Sequence, residues 1–591
     1  MASINSTPSH VAKLGYNGFN MDNVLKFSST TGELLPVYYD LLQPGDKVSL
    51  RAELVTRTME IESSAMCSIK EHIEYFFVPI TQIYSNFGEF YYRIQDVKSS
   101  IFDPSTMASD FPYWGGSTFK TGLSAVQRQI DHYFNKNNDN VYPLRGTGFR
   151  LAELLGIPLD DYAELEGSTV GFNMACSPLF LCAYQKIYFD YYRLSDREPN
   201  DPTYYNLDQF YNSASVQGVA TKMFTLRDRP WKRDFFTNLC VSPLQSQGDV
   251  GSLGYGLGSS ADDKSLVNSF QQWLAPTKLF TYNNAETPAR SDATNVSTYS
   301  VTTNPSLIGA LSPTSIRTSF AVQKLMEITR RAGKHYDAQT LAHFGVKVPT
   351  GIAGEVTYLG GQVSEIRIGD VIATAGTESD PLGKVGGKGF GYTDGKTIKF
   401  EAPCHGVLMA IYSAEPVADY SCVMFDKLNT LVKREHWFTE EYDELGMQPF
   451  FNYQQDFDTN PTSQGVNNSA IIGWQYRYSE LKQKYNRVAG ALMRSLKYWS
   501  PQRNLREESA DWNVPVSRYL ISPYYLDTIM LKNYEFDMGR WSTYPEPGDD
   551  DYTEESHAGF QEAFDSDPLI HELYFDVKKS SRMSVYGLEQ L

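Results

Sequence analysis

The residues of this chain most able to do chemistry are three groups of basic side chains. The first group lies at the end of a predicted helix and comprises Arg330, Arg331 and Lys334. The other two are Lys482, Lys484 and Arg487, and Arg494 with Lys497. Such cations bind phosphate groups without reading a sequence, and aromatic rings among them can stack on bases. A solvated helix face is the alternative interpretation of the first group.

No pattern in the sequence predicts an enzyme. It contains no HExxH zinc motif, no GxSxG nucleophile elbow and no phosphate-binding P-loop. The nine histidines are scattered. The six cysteines form no CxxC pair, so we expect reduced, buried thiols rather than a zinc site or a disulfide scaffold. We therefore predict no catalytic residue, no metal and no cofactor.

Two acidic features leave an alternative open. Residues 544–555 carry clustered carboxylates that would suit calcium, but their spacing fits no EF-hand loop, and a solvated acidic loop is the other interpretation. Trp437 lies close in sequence to Glu440 and Glu441, a combination that can line a sugar-binding groove. A chain with 14% aromatic residues also produces such proximity by chance.

Composition restricts the class of protein further. With 14% aromatic residues the chain can bury a large core, which excludes an intrinsically disordered protein. The formal net charge of -18 argues against a protein that coats nucleic acid by itself, so a basic partner would be needed. No apolar run of 18 residues and no signal-peptide pattern occur, so we expect a soluble chain that is intracellular when made, without membrane insertion.

The elements that must position these side chains read mainly as β-strands. Residues 48–54 and 69–78 alternate apolar and polar side chains, and the second run ends at Pro79, which cannot donate to a strand ladder. Further strands are predicted at residues 355–359, 397–400 and 407–413. Because long stretches separate these strands, the pattern predicts one β-sandwich with insertions rather than a string of domains.

The predicted insertions contain helices and one long polar excursion. Ser177 with Pro178, and Ser312 with Pro313, carry helix-start signals, and Gly333 is predicted to end the second helix. Residues 245–311 are rich in Gly, Ser, Asn and Thr, which predicts an exposed loop that no core requires.

Nine segments, in order, resemble the major capsid proteins of the Microviridae, the small icosahedral single-stranded DNA phages. They are residues 32–58, 73–79 (IEYFFVP), 182–193 (CAYQKIYFDYYR), 233–238 (RDFFTN), 341–346 (LAHFGV), 358–362 (YLGGQ), 404–413 (CHGVLMAIYS), 473–482 (GWQYRYSELK) and 567–588. Phe235 stands where the family usually has Tyr, and Cys404 stands where an acid is common. The size and the 245–311 excursion are more similar to gokushovirus-related capsids than to those of the coliphages.

The resemblance implies a fold and a function. The fold would be all-β: a single eight-stranded antiparallel jelly roll of the viral capsid type, with long inserted loops that contain several helices. Sixty copies would form a T=1 shell around a circular single-stranded DNA genome, and surface loops would meet a host receptor. Other implied partners are a small basic DNA-binding protein and scaffolding and pilot proteins, with assembly in the host cytoplasm and the virion as final location. The three basic groups would then contact DNA.

The same reading divides one capsid domain, residues 1–591, into six regions. They are an N-terminal arm (1–31), the first jelly-roll strands (32–80), inserted loops with helices (81–244), a variable surface insertion (245–311), a helix with the later strands (312–500), and a C-terminal loop and tail (501–591). A jelly-roll carbohydrate-binding protein or glycosidase is the alternative function.

Overall fold

The structure is a computed structural model that describes part of the chain. The described residues are 15–92, 111–113, 148–157, 177–208, 222–241, 313–332, 335–347, 354–372, 374, 383, 385–421, 424–443, 446–457, 468–505, 516–530, 567–583 and 585. The predicted surface insertion 245–311, the acidic stretch 544–555, Gly333 and Lys334 lie outside them.

Twelve strands are described, and ten of them form one antiparallel sheet. They are β1 (Asn17–Asn20), β2 (Asn23–Ser29), β3 (Leu35–Leu42), β4 (Lys47–Thr58), β5 (Ile69–Pro79), β6 (Thr357–Ile372), β7 (Val385–Asp394), β8 (Ile398–Glu401), β9 (Gly406–Pro416), β10 (Met447–Phe451), β11 (Ile471–Tyr476) and β12 (Leu569–Ser581). The strand order in the large sheet is β1-β12-β4-β7-β6-β5-β9-β3, and β10 and β11 form a separate pair.

This curled sheet confirms the predicted all-β jelly roll with inserted loops. Eight described strands lie along the continuous path, while β2 shares β12 with β1, and β8 shares β4 with β7. Strand β4 alternates buried and more exposed residues, as its sequence predicts. In β5 both faces become buried from Ile73 onward, because inserted segments cover the face that would otherwise meet water.

The C-terminal strand β12 lies inside the sheet rather than at its edge. It pairs with β4 along twelve residues on one side and with β1 and β2 on the other. Its inward side chains Leu573, Phe575 and Val577 are fully buried. Sheet formation therefore requires the two ends of the chain to meet, with β4 between β12 and the rest of the sheet.

Seven α-helices are described in the segments between the strands. They are α1 (Phe87–Tyr92), α2 (Gly148–Leu154), α3 (Leu179–Ile187), α4 (Pro313–Ala332), α5 (Tyr336–Phe344), α6 (Glu440–Asp443) and α7 (Ser479–Lys482). The predicted helices after Ser177 and Ser312 correspond to α3 and α4. The first begins at Leu179, whose backbone N–H donates to the Ser177 hydroxyl at 3.4 Å, and it continues into a π-helical turn at Tyr188–Tyr192.

Two apolar clusters stabilise this arrangement. The large one lies between the inner face of the sheet and the inserted segments, and α3 contributes Leu181, Tyr184 and Ile187 to it. The small one, built around Phe235, Phe236, Tyr420, Phe450 and Leu505, supports the β10–β11 pair and the segment that follows it. That segment carries five of the eight predicted basic residues.

Candidate nucleic-acid interface

The segment after β11 is held by a left-handed residue and an aromatic anchor. Tyr478 has φ 58°, the one positive value among the described non-glycine residues, and it turns the chain from β11 into α7. Beyond α7, the Tyr485 ring lies 5.3 Å from Phe235 and 4.8 Å from Phe236, measured between ring centroids. Because Tyr485 packs inward, Lys484 and Arg487 are left exposed to solvent.

The structure brings Lys484 and Arg487 to one cavity of about 390 Å³. Its wall also contains Lys427 and Glu480, whose charged groups lie 3.3 Å apart. Burial lowers the pKa of Lys427, while the neighbouring Glu480 carboxylate opposes that change. Among the ion pairs between described residues, none includes Lys484 or Arg487, and the cavity that they line also contains the Asp426 carboxylate.

Two of the predicted basic residues have carboxylate partners within the subunit. The Lys482 ammonium lies 2.5 Å from Asp443 of α6, and the side chain remains 46% exposed. Arg330 of α4 is largely buried, with Nη2 3.8 Å from the Asp196 carboxylate. The adjacent Arg331 is exposed. Arg330 thus links α4 to the segment after α3, whereas Arg331 faces solvent.

Arg494 and Lys497 lie further along the segment that follows β11. They are next to two short 3-10 turns, Gly490–Met493 and Lys497–Trp499. Both cations are exposed. Their segment is attached to the loop after β4, because the backbone N–H of Met66 donates to the Trp499 carbonyl at 2.7 Å. Apart from Arg330, the predicted cations that the structure describes are exposed, and they lie on α4 and on the segment after β11.

Sequence reasoning missed a second set of cations and rings on the outer face of the large sheet. Arg57, Arg367 and Lys388 surround the exposed ring of Phe390 there. The available signal was the alternation in residues 387–392, Gly-Lys-Gly-Phe-Gly-Tyr, in which every second residue has no side chain. Such a strand places all its side chains on one face.

The described residues also include histidines, cysteines and carboxylates, the side chains that could hold a metal ion. No group of three or more His, Cys, Asp and Glu side chains there is arranged to hold a metal ion. Cys67, Cys182, Cys240 and Cys404 are free thiols, and burial raises the pKa of the Cys67 thiol to about 12. Within the same residues, none of the helices is both long and apolar enough to cross a bilayer.

A curled antiparallel sheet with helix-containing segments between its strands is the architecture of a jelly-roll protein of the capsid type. Comparison with known families gives the same class: the chain belongs to the phage capsid protein (F protein) family, whose model matches residues 13–118 and 156–538. It is also 23% identical over 586 residues to capsid protein VP1 of Chlamydia phage 1, covering 87% of this chain and 92% of that protein. The resemblance to Microviridae major capsid proteins is thereby confirmed.

The protein is accordingly a capsid protein of a Microviridae phage and a component of the virion. A capsid protein works by self-association into a shell. The contacts that build this shell must come from the surfaces that the fold leaves exposed.

Proposed function

We propose that this chain is the major shell subunit of a small icosahedral single-stranded DNA phage. In this proposal sixty copies close a T=1 shell around a circular genome, and the subunit has no enzymatic activity. The observation that carries it is the family match over both halves of the chain, joined to a jelly roll whose cations are exposed and dispersed. Assembly would occur in the host cytoplasm.

The charge of the subunit supports a role for a second protein in packaging the genome. A shell protein with a formal charge of -18 repels DNA overall, so a separate small basic protein would neutralise most of the phosphates. Scaffolding and pilot proteins complete the set of partners proposed here. The shell would add local, sequence-independent contacts through Lys484, Arg487, Arg494 and Lys497, with Arg331 and Lys334 as further candidates.

Particle formation tests the proposal directly. The full chain, expressed together with its phage's other assembly proteins, should sediment as a particle and appear as closed shells in electron micrographs. A carbohydrate-binding protein or glycosidase, the alternative function, would sediment as a small oligomer and bind or cleave a glycan. Recovery of only small oligomers under these conditions would refute the shell function.

The dispersed DNA contacts have their own test. Lys484→Gln combined with Arg487→Gln should lower the DNA content of purified particles while shells still form. Lys26→Gln is the matched control, because Lys26 is an exposed cation whose ammonium already lies 3.6 Å from Glu572. Equal DNA content in the double variant and the control would remove this cavity from the proposed contacts.

Residues 245–311 are proposed to protrude from the shell and to present the surface that meets the host. Their polar, glycine-rich composition requires no buried partner. Replacing the excursion by a short linker should leave shell formation intact and reduce adsorption to host cells. Loss of subunit folding in that variant would contradict the proposal.

A further inference from the structure

The outer face of the large sheet carries a lattice, here meaning an array of side chains whose relative positions are set by the strand register. Arg57 of β4 lies across from Phe390 of β7, and Phe390 lies across from Arg367 of β6. Since adjacent strands are about 4.8 Å apart, the two arginines are on the order of 10 Å apart with the ring between them. The next outward residue of β7 on one side is Lys388, and on the other side it is Tyr392.

Strand β7 contributes almost nothing to the core. Its inward positions are Gly387, Gly389 and Gly391, and each is packed tightly against β4, β6 or the chain that follows β4. The outward positions hold a cation, a phenyl ring and a phenol ring, and Phe390 and Tyr392 are 53% and 57% exposed. The inward face of β7 is therefore closely packed, and the cation and both rings lie on its solvent-exposed face.

The charges on this face divide into two regions. Toward one end, cations are paired: Lys26 with Glu572, Arg51 with Glu53 and Asp394, and Lys578 with Asp576. At the other end, Arg57, Arg367 and Lys388 are exposed, and none of them has an ion-pair partner among the described residues. Among the described residues these three cations therefore lack the ion pairs seen at Lys26, Arg51 and Lys578, and the nearest carboxylate on their face is that of Glu365, two residues from Arg367 on β6, which accepts a hydrogen bond from Ser68.

We propose that Arg57, Arg367, Lys388, Phe390 and Tyr392 form a docking platform for single-stranded nucleic acid. The cations bind consecutive phosphates, and the two rings stack on unpaired bases, which is how proteins hold single strands without reading their sequence. Unpaired bases are essential to the match, because a duplex keeps its base faces stacked internally. The inference rests on the proposed function, since it assigns part of the enclosed genome to this sheet face.

A second protein subunit is the competing occupant, because arginine and aromatic residues are also common at protein interfaces. The lattice favours the nucleic acid for a geometric reason. Phe390 has an arginine one strand away on either side and Lys388 two residues away along β7, so phosphate and base contacts alternate around this ring over a short distance. Tyr392 extends the row of rings and lies across from Val55 of β4. A protein partner would instead need carboxylates placed between apolar groups of its own.

The test measures binding of a fluorescent oligo-dT to the purified full-length protein over a range of salt concentrations. The triple variant Arg57→Gln/Arg367→Gln/Lys388→Gln should bind more weakly, and its slope of log affinity against log salt should be shallower by about 2, since each single-strand phosphate contact contributes about 0.7. Phe390→Leu should weaken binding about tenfold with an unchanged salt slope, because stacking releases no counterions. Lys26→Gln should leave both quantities unchanged.

Two outcomes would overturn the nucleic-acid platform, and a control variant checks the role of the ring. Wild-type affinity and slope in the triple variant and in Phe390→Leu would overturn the platform, while particles formed by the wild type would leave the shell function standing. If these variants bind the oligonucleotide normally but no longer form particles, the face is a contact between subunits, and this result would also overturn the platform. Phe390→Tyr, which keeps an aromatic ring, should restore affinity, and melting temperatures equal to that of the wild type confirm that the variants are folded.

Discussion

The guanidinium of Arg150 donates a hydrogen bond to the carboxylate of Asp567, although the two residues are 417 positions apart in the chain. The same guanidinium donates to Glu33, and all three side chains are almost fully buried. Arg150 belongs to α2 in an inserted segment, Glu33 precedes β3, and Asp567 precedes β12. One buried charge therefore joins an insertion to the starts of β3 and β12, two strands that lie far apart in the strand order of the sheet.

Removing this guanidinium should destabilise the subunit strongly. Arg150→Met leaves two buried carboxylates close together without a counterion, and breaking a buried ion pair from one side costs about 3–5 kcal/mol. The expected loss appears in the free energy of unfolding of the dissociated subunit, measured by denaturant titration. Lys578→Met removes an exposed ion pair with Asp576 and serves as control, with a change below about 1 kcal/mol. Equal effects of the two substitutions would show that the buried network contributes little.

A second buried group makes subunit stability depend on pH. His571 of β12 lies between Ser29 and Thr56, whose hydroxyls are 2.7 and 2.9 Å from its two ring nitrogens. Its ring stacks on Phe27 with centroids 4.6 Å apart. Desolvation by burial, with a smaller contribution from the positive charge of Arg150, lowers the pKa of His571 from 6.5 to about 3. The imidazole is therefore neutral in the folded subunit at neutral and mildly acidic pH.

The pH dependence follows from the direction of that shift. Below about pH 6.5 the unfolded chain binds a proton that the folded subunit does not, so the free energy of unfolding falls by about 1.4 kcal/mol per pH unit until about pH 3. His571→Gln can still hydrogen-bond but does not titrate in this range. Denaturant titrations at pH 7.5, 5.5 and 4.5 should show that wild type loses more stability than the variant. Parallel pH profiles for the two proteins would contradict the assignment.

Much of the fold could be predicted from the sequence because period-two patterns are local. The alternation in residues 48–54 and the terminal Pro79 locate β4 and β5 correctly. In contrast, the sequence assigns residues 501–591 only to a C-terminal loop and tail. The structure places Leu569–Ser581 on the subunit's own sheet, as an interior strand. Strand partners 500 residues apart leave no local signal of their pairing.

The candidate site was less predictable, because the sequence shows which side chains are charged but not which of them form ion pairs. Arg330 and Lys482 were selected as cations, yet each lies within 4 Å of a carboxylate from a segment distant in sequence. Arg57 and Arg367 were overlooked because they are 310 residues apart in the sequence and lie on different strands, β4 and β6. Only the register across β7 places them on either side of Phe390.

The glycines of β7 give a prediction about packing. A methyl group added at Gly389 would overlap the side-chain methyl of Thr58, whose hydroxyl also accepts a hydrogen bond from the Gly389 N–H at 2.6 Å. Gly389→Ala should therefore lower the free energy of unfolding by about 1–3 kcal/mol, as overpacking does elsewhere. At Gly369 of β6 the nearest atom would be the Lys388 carbonyl oxygen at 3.9 Å, so Gly369→Ala should stay within about 0.5 kcal/mol of wild type. An unchanged free energy of unfolding in Gly389→Ala would show that the inward face of β7 is not closely packed.

The last prediction concerns the chain after β12, where apolar residues continue beyond the buried strand. Met583 and Val585 are 39% and 52% exposed, and the contacts that secure this end are peripheral, such as the Asn17 side-chain N–H that donates to the Met583 carbonyl at 2.7 Å. Deleting residues 582–591 should therefore change the melting temperature of the subunit little. We expect the same deletion to reduce particle yield, because exposed apolar residues near a chain end suit a contact across a subunit boundary.

Val577→Ala is the matched variant for that deletion. Val577 is fully buried in β12, so its truncation should cost about 2 kcal/mol of subunit stability, and any loss of particles should follow from that loss. The deletion, in contrast, should lose particles without losing stability. Melting curves of the dissociated subunit and sedimentation of assembly mixtures separate the two effects. A truncated subunit that unfolds would show that residues 582–591 belong to the core, and one that assembles normally would show that they form no boundary contact.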